Sequence, residues 1–302
     1  MMGHTTPFVS VIVPVLNGER TIRDCLVSLL RMDYPPELRE ILVVDNGSTD
    51  GTAEIVKSFP VRYLQEERRG ASYARNRGIE ESKGEILAFT DADCIATTGW
   101  VRELVQGFKD DGIGGVDGET LAYLPATPAE QYMARWSCFN YQVRLASPFF
   151  PYAITANVAF RREVFHQIGF FDSRFPAAGG EDIDFSWRFS QETNLKLQHN
   201  PKAVVFHRHR STTRSYFSQH MRNGRALVIL QSKYPARLPW GWRKEFWAWC
   251  DLALNAWISA RAAIRYWLGS GKKMDVYDPY FTFLRKLALR VGFIRETLAR
   301  RP

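Results

Sequence analysis

The sequence predicts an α/β protein built on a mixed, mainly parallel sheet flanked by helices, with a C-terminal helical extension. Three observations carry that prediction. Continuous Val/Ile/Leu runs recur, as expected of strands buried on both faces; each run stops at a polar turn; and helical periodicity follows the turn. The first run is Phe8–Asn17, after which Thr21–Arg31 repeats apolar residues with helical spacing through Ile22, Leu26, Leu29 and Leu30. The second is Glu40–Asp45, which breaks at Asn46-Gly47-Ser48-Thr49-Asp50-Gly51 and leads into a short helix, Thr52–Phe59. Glu85–Phe89 is the third. In an open sheet of this kind ligands bind beyond the C-terminal ends of the strands, where Asn17, Asp45 and Asp91 stand.

The third run ends in Thr90-Asp91-Ala92-Asp93. Residues i and i+2 of an extended segment point the same way, so Asp91 and Asp93 can converge on one Mg²⁺ or Mn²⁺ ion, leaving coordination sites for phosphate. Asp-x-Asp also occurs in solvated turns, and this pattern alone does not separate the two. A dinucleotide-binding domain is the obvious competitor for the β-α-β-α order. It would need G-x-G-x-x-G after the first strand, and Pro14-Val15-Leu16-Asn17-Gly18-Glu19 does not supply it; no G-x-x-x-x-G-K-[ST] occurs either.

Two later segments carry chemistry. Gly179-Gly180 precedes Glu181-Asp182-Ile183-Asp184, which opens a helix continuing through Trp187 and Arg188. Acids in a first helical turn are favourable by about 0.3–1 kcal/mol, so they need no active site to explain them. Val204–Arg210 is strand-like, and alternation sets His207 and His209 on one face with Arg208 and Arg210 on the other.

In order along the chain, Val9–Asn17, Val43–Thr52, Gly70–Gly78 (with Ala74-Arg75-Asn76), Phe89–Asp93, Ala156–Arg162 and Gly179–Arg188 resemble the family-2 glycosyltransferases. These are inverting enzymes of the GT-A fold, a Rossmann-like nucleotide-diphospho-sugar transferase fold. The resemblance covers roughly residues 8 to 225, and six ordered matches are more specific than any one of them. It implies a cation, Mn²⁺ or Mg²⁺, at Asp93 with Asp91 and His207, since relatives place a histidine at that position and imidazole suits Mn²⁺. It implies donor contacts from Pro14, Leu16, Asn17, Glu19, Asp45, Arg75 and Asp91, with Asp45 accepting a hydrogen bond from the base and Arg75 beside the base or phosphates. The general base would be Asp182, with Glu181 and Trp187 at the acceptor. The residues also admit plainer roles: an Asx-turn or helix cap for Asp45, a solvated helix face for Arg75, a helix cap for Glu19. Gln219-His220-Met221-Arg222-Asn223 falls where processive polysaccharide synthases carry Q-x-x-R-W; Asn223 replaces the tryptophan, which argues against processive synthesis, while Arg222 could still pair with the diphosphate.

The implied activity is transfer of single sugars from a nucleotide diphosphate sugar, a UDP-sugar by family weight, to a hydroxyl of a glycan or lipid-linked acceptor in cell-surface polysaccharide assembly. Two alternatives stay open. One is a polyprenyl-phosphate sugar synthase, whose ionised acceptor needs no base; the other is a non-catalytic sugar-nucleotide or glycan-binding protein of the same fold. Specificity is expected to depend on the loops Asp110–Ala129 and Ser147–Thr155.

A chain of 302 residues with 45% hydrophobic residues and net charge +8 has room for one large catalytic domain and an appendage. The expected division is a catalytic domain over 1–230, with a nucleotide-sugar half to about 95 and an acceptor half from 96, and a basic helical region over 231–302. Cys25, Cys94, Cys138 and Cys250 show no C-x-x-C spacing, so neither a zinc site nor a disulfide framework is indicated. No signal-peptide pattern precedes the apolar run at Phe8, and a cytoplasmic location, peripheral at the inner face of the plasma membrane, is expected. Charge is uneven: residues 231–302 hold fourteen Lys/Arg against five Asp/Glu, a net +9, and six of the nine tryptophans, Trp240, Trp242, Trp247, Trp249, Trp257 and Trp267. That composition suits an anionic membrane surface, and equally a helical subdomain or dimer contact with solvated arginines. Phe246–Leu268, the longest apolar stretch, is interrupted by Asp251, Asn255, Arg261 and Arg265, so it should not span a bilayer. As a helix it sets Cys250, Leu254, Trp257, Ile264 and Leu268 on one face, with Arg261 among them. No fold module for nucleic acid accompanies the basic region.

Overall fold

The computed structural model describes residues 6–136, 152–175, 179–239 and 241–300. Cys138, Trp240 and the 147–151 part of the second specificity loop lie outside the described residues. The chain divides into two compact units. One comprises the chain through Tyr123 and the stretch ending at Arg208; the other comprises the segment starting at Leu124, with helix Pro128–Trp136, and everything from His209 onward. Helix Thr213–Lys233 thereby groups with the C-terminal helices and not with the rest of the expected domain 1–230.

The first unit is built on eight strands: β1 Val9–Val15, β2 Arg39–Asp45, β3 Arg62–Gln65, β4 Ile86–Phe89, β5 Cys94–Ala96, β6 Ile113–Ala122, β7 Val158–Arg161 and β8 Lys196–His207. Their order is β3-β2-β1-β4-β7-β6-β8-β5. β3, β2, β1 and β4 run parallel, β7 runs antiparallel to both β4 and β6, and β6 and β8 are parallel. The three predicted strands are therefore neighbours in the parallel half. Their register pairs Val15 with Asp45 and Ile12 with Phe89, which brings the turns at Asn17, Asp45 and Asp91 to one edge of the sheet.

The continuous apolar runs are accounted for by burial on both faces. Val9, Val11 and Val13 pack with Ile22, Cys25, Leu26 and Leu29 of helix Ile22–Leu30, while Ile12, Leu87 and Phe89 face a second cluster. That second cluster is aromatic: Phe89, Phe160, Phe165, Phe171 and Phe185 lie in pairs with ring centroids 4.8–6.1 Å apart. Offset and edge contacts of this kind add about 0.5–1.5 kcal/mol per pair beyond the area they bury.

The expected loop Asp110–Ala129 is corrected by the structure, since half of it is the ten-residue strand β6. Ile-Gly-Gly-Val-Asp-Gly-Glu-Thr-Leu-Ala has the glycines and acids of a turn, and single-sequence propensity argues against a strand. Tertiary packing overrides it. A Cβ on Gly118 would lie 2.0 Å from the Ala203 carbonyl oxygen, so the missing side chain is what lets β6 and β8 approach. The buried Asn157 amide then ties Glu119 and Ala203 carbonyls, both at 2.9 Å, and accepts from the Trp100 indole at 2.8 Å.

The second unit is helical: Pro128–Trp136, Thr213–Lys233, Trp242–Trp267 and Lys273–Ala299. Thr212 and Ser215 cap the second of these reciprocally, Ser215 N–H donating to Thr212 Oγ1 at 3.1 Å. Tyr132, Tyr216 and Phe281 form its aromatic centre, where the Tyr216 hydroxyl donates to the Phe281 carbonyl at 3.1 Å. Among the described residues no helix is long and apolar enough to cross a membrane.

Candidate active site at the strand ends

Asp91 and Asp93 leave β4 together, and β5 begins at the next residue, Cys94. Because β5 pairs antiparallel with β8, Cys94 stands opposite His207, and the Arg208 N–H donates to the Asp93 carbonyl at 3.0 Å. This pairing delivers the His207 Nε2 to 3.4 Å from Asp93 Oδ1. Of the two histidines offered by the sequence, His207 is the one set against Asp93; His209 belongs to the second unit. Cys94 Sγ joins these two groups within 4.8 Å, which the sequence reading missed because it depends on β5–β8 pairing. Burial first and the Asp93 carboxylate second raise the Cys94 thiol well above its ordinary range; of the carboxylate oxygen, imidazole nitrogen and sulfur gathered here, the oxygen and nitrogen are the donors that suit a hard cation. That donor set fits a divalent cation of the Mn²⁺ kind.

Arg75 lies on helix Ala71–Glu81, and the plainer alternative of a solvated helix face does not hold: the side chain is buried. Nη1 meets Glu181 Oε1 at 2.6 Å and Nη2 meets Asp91 Oδ1 at 3.1 Å. One guanidinium thus joins the acid of the strand end to the acid that opens helix Glu181–Glu192. The planar fork of arginine suits this, since its two Nη groups donate in different directions and so reach two carboxylates at once. Glu181, expected at the acceptor, has a buried carboxylate, with Oε2 accepting from the Gly179 N–H at 2.6 Å. Trp187, also expected at the acceptor, is buried on the same helix. Asp184 is buried too and pairs with Arg188 at 3.0 Å one turn on.

Asp182 differs from its neighbours. It is partly exposed, and one oxygen accepts from the Ile183 N–H at 2.9 Å. Among the described residues no cation lies within ion-pair distance of it. Burial first, and the Glu181 carboxylate second, push its acid up to about 7, with Arg75 opposing them. The helix can start this abruptly because Gly179 and Gly180 both take positive φ, 136° and 92°, which a side chain would strain.

At the neighbouring strand ends the expected donor residues form a closed hydrogen-bonded turn. Asp45 is buried; Oδ1 accepts from the Ser48 N–H at 2.8 Å, the Asx-turn role left open by the sequence, and Oδ2 accepts from the Tyr63 hydroxyl at 2.9 Å. Asn17 holds a left-handed φ of 52° and its Oδ1 accepts from the Thr49 N–H at 2.9 Å. The Glu19 carboxylate lies over Gly51, Leu16 is half exposed beside Asn17, and Pro14 sits within β1. Asn46 was not singled out by the sequence. Its buried amide donates to the carbonyls of Glu66 and Arg68 and accepts from Gly70, fixing the turn that starts the Arg75 helix. Arg222 lies in the second unit, where it donates to Ser218 Oγ at 3.2 Å.

Among curated proteins, glycosyltransferase AglE of Haloferax volcanii is 37% identical over 186 residues, 59% of this chain and 60% of that protein. The chain thus spans about 60% of the length of that relative. The Methanococcus voltae dolichyl N-acetyl-alpha-D-glucosaminyl phosphate 3-beta-D-2,3-diacetamido-2,3-dideoxy-beta-D-glucuronosyltransferase is 24% identical over 77% of each chain. Among solved structures, mannosyltransferase PcManGT from Pyrobaculum calidifontis, in complex with GDP-Man and Mn²⁺, matches the fold with a TM-score of 0.66 at 22% identity, covering 99% of this chain and 89% of that one. The sequence model of glycosyl transferase family 2 matches residues 10–169, more than half of the chain, and it spans β1, Asp45, Arg75 and the Asp91–Asp93 pair. This chain belongs to glycosyl transferase family 2.

Proposed function

We propose that the protein transfers a sugar, with inversion, from a nucleotide diphosphate sugar to a hydroxyl of a glycan or lipid-linked acceptor, in a metal-dependent reaction of cell-surface polysaccharide assembly. The observation that carries this reading is the approach of His207 Nε2 to Asp93 Oδ1 at 3.4 Å, with Asp91 two residues away and tied to Arg75. Asp93 and His207 would hold Mn²⁺ or Mg²⁺, which when bound neutralises charge on a diphosphate leaving group. Asp182 removes the proton from the acceptor hydroxyl as the acceptor oxygen bonds to the anomeric carbon and the bond from that carbon to the diphosphate breaks. An acid held near 7 is suited to that task at neutral pH. Arg75, through Asp91 on one side and Glu181 on the other, orients the donor acid and the base helix together. The donor turn at Asn17, Glu19 and Asp45, flanked by Pro14 and Leu16, is the proposed nucleoside end of the site, and Arg222 a proposed diphosphate contact.

A UDP-sugar is the first candidate donor and a GDP-sugar the second, the latter because the Pyrobaculum relative was solved with GDP-Man and Mn²⁺. The dolichyl-linked substrate in the name of the Methanococcus relative supports a lipid-linked acceptor. Calorimetric titration with UDP and with GDP, each with and without Mn²⁺, tests the reading on the intact chain and on Asp93→Asn. Binding should require the cation and weaken greatly in the variant. Metal-independent binding, or an unchanged Asp93→Asn, would remove the metal site.

A further inference from the structure

We infer that helix Trp242–Trp267 is a docking surface for an anionic lipid bilayer, lying in the plane of the headgroups. Most of the large exposed side chains of this helix lie on one arc, with Trp242 and Trp267 exposed at its two ends outside that arc. Leu252 is its one buried residue and lies within about 20° of Glu245, which pairs with Arg290 of helix Lys273–Ala299; Asp251, about 100° round on the flank, pairs with Lys286 of that helix at 2.7 Å. The opposite side carries Phe246, Trp247, Leu254, Trp257 and Ile264, each more than half exposed. At 100° per residue these five fall within roughly 100° of the helix circumference, centred about opposite Leu252. The expected face through Cys250, Leu254, Trp257, Ile264 and Leu268 is therefore the one turned to solvent. A group of large exposed side chains on one helix face marks an interaction site.

Charge identifies the partner. The same arc holds Arg243, Arg261 and Arg265, all exposed, and no acid. Both acids of the helix are held in the ion pairs to the neighbouring helix, so among the described residues no acid of this helix faces the cations of the exposed arc. Arg261 lies over the Trp257 ring at 5.5 Å, and Arg243 over Trp242 at 5.8 Å. An aromatic body with a cation at its rim matches the boundary between acyl chains and phosphate headgroups. A second copy of the chain fits less well, because a two-fold contact through this face would bring arginine against arginine. The helix, about 39 Å long at 1.5 Å per residue, is too polar to cross the bilayer and lies along it instead.

This inference concerns where the proposed transfer takes place, but its test reads binding alone, so its failure would leave the transfer reading standing. The intact chain is sedimented with phosphatidylcholine vesicles and with vesicles also containing phosphatidylglycerol, at low and high salt, and its mass is measured without lipid. Binding should require phosphatidylglycerol, weaken with salt, and shift tryptophan emission to the blue. Arg261→Gln and Arg265→Gln should each weaken it about fivefold, equivalent to about 1 kcal/mol per cationic side chain at an anionic surface. Lys202→Gln, an equal charge change at an exposed position of the first unit, should leave it unaltered. The proposal is overturned if the intact chain stays in the supernatant throughout, if Lys202→Gln weakens binding as much as Arg261→Gln, or if the lipid-free chain is a dimer that Trp257→Asp dissociates.

Discussion

Two acids stand at strand ends on either side of β1 in the same sheet, Asp45 at the end of β2 and Asp93 just beyond β4, and their surroundings treat them differently. Asp45 is enclosed, its oxygens taken by the Ser48 N–H and the Tyr63 hydroxyl. Asp93 keeps an oxygen 3.4 Å from an imidazole, in a set whose third member is the buried Cys94. The difference is topological: β2 lies inside the parallel half, where the following turn folds back on its own strand end, whereas β4 hands over to β5, which pairs with β8 and brings His207 in from far along the chain. A similar division occurs between two adjacent residues of helix Glu181–Glu192, where Glu181 is buried against Arg75 and Asp182 is left partly open. Residue type at a strand end or helix start does not by itself separate scaffold from chemistry; the partners do.

The largest expected effect tests the second of these divisions. Asp182→Asn should lower turnover on the order of 10²–10⁴-fold while nucleotide affinity in the presence of Mn²⁺ stays within about twofold, as when only a base is lost. Steady-state rates beside calorimetry read the two quantities separately. Activity near that of the intact chain would favour a phosphate acceptor, which needs no base.

Glu181→Gln should act on the fold. Removing one partner of a buried ion pair leaves the other uncompensated, at a cost of roughly 3–5 kcal/mol. Asp91 still holds one arm of Arg75, so the lower end of that range is expected in denaturant melts. A melt indistinguishable from the intact chain would return Glu181 to the open side of the site.

The pH dependence follows from the Asp182 acid near 7. The deprotonated form is the base, so transfer should fall about tenfold per unit below that value and level off above it. Because the folded value lies above the unfolded one, the share of stability that Asp182 contributes is present below about 4 and is lost as pH rises towards 7. In Glu181→Gln the midpoint of the rate profile should move down, since the second cause of the shift is gone while burial remains. A profile flat between pH 5 and 8 would remove Asp182 as the titrating base.

The sequence made one half of this architecture legible and hid the other for a physical reason. β1, β2 and β4 announce themselves because burial on both faces demands unbroken apolar runs. The Asp91–Asp93 pair and His207 could be nominated from the family resemblance, whereas alternation did not choose between His207 and His209, and Ala92 and Asp93 form a turn instead of the extended segment that would aim both acids one way. What could not be read depends on contacts distant in sequence: β6 is a strand because Gly118 admits β8, Arg75 is buried because Glu181 arrives 106 residues later, and Asp45 is enclosed because Tyr63 reaches it from β3. The tail shows the same limit. Its helical face was visible in the spacing of Leu254, Trp257 and Ile264, but which side would meet solvent was decided by Glu245 and Asp251 pairing with the next helix.

The smallest expected effect bears on the first comparison. In Asp45→Asn the side-chain oxygen can still accept from the Ser48 N–H, while the new amide donates to the Tyr63 oxygen in place of accepting from it. The fold should lose about 1 kcal/mol, the net worth of a hydrogen bond strengthened by charge less its neutral replacement. Tyr63, pushed up to about 12 by burial first and by its bond to Asp45 second, should titrate lower in the variant, and the ultraviolet absorbance of the phenolate reports this directly. Nucleotide affinity separates the two roles the sequence allowed. If Asp45 only closes the turn, UDP binding changes no more than stability does. If its carboxylate turns to accept the imide N–H of the base, affinity falls by about tenfold or more while the melt barely moves, and the enclosed strand end would then belong to the site as fully as the open one.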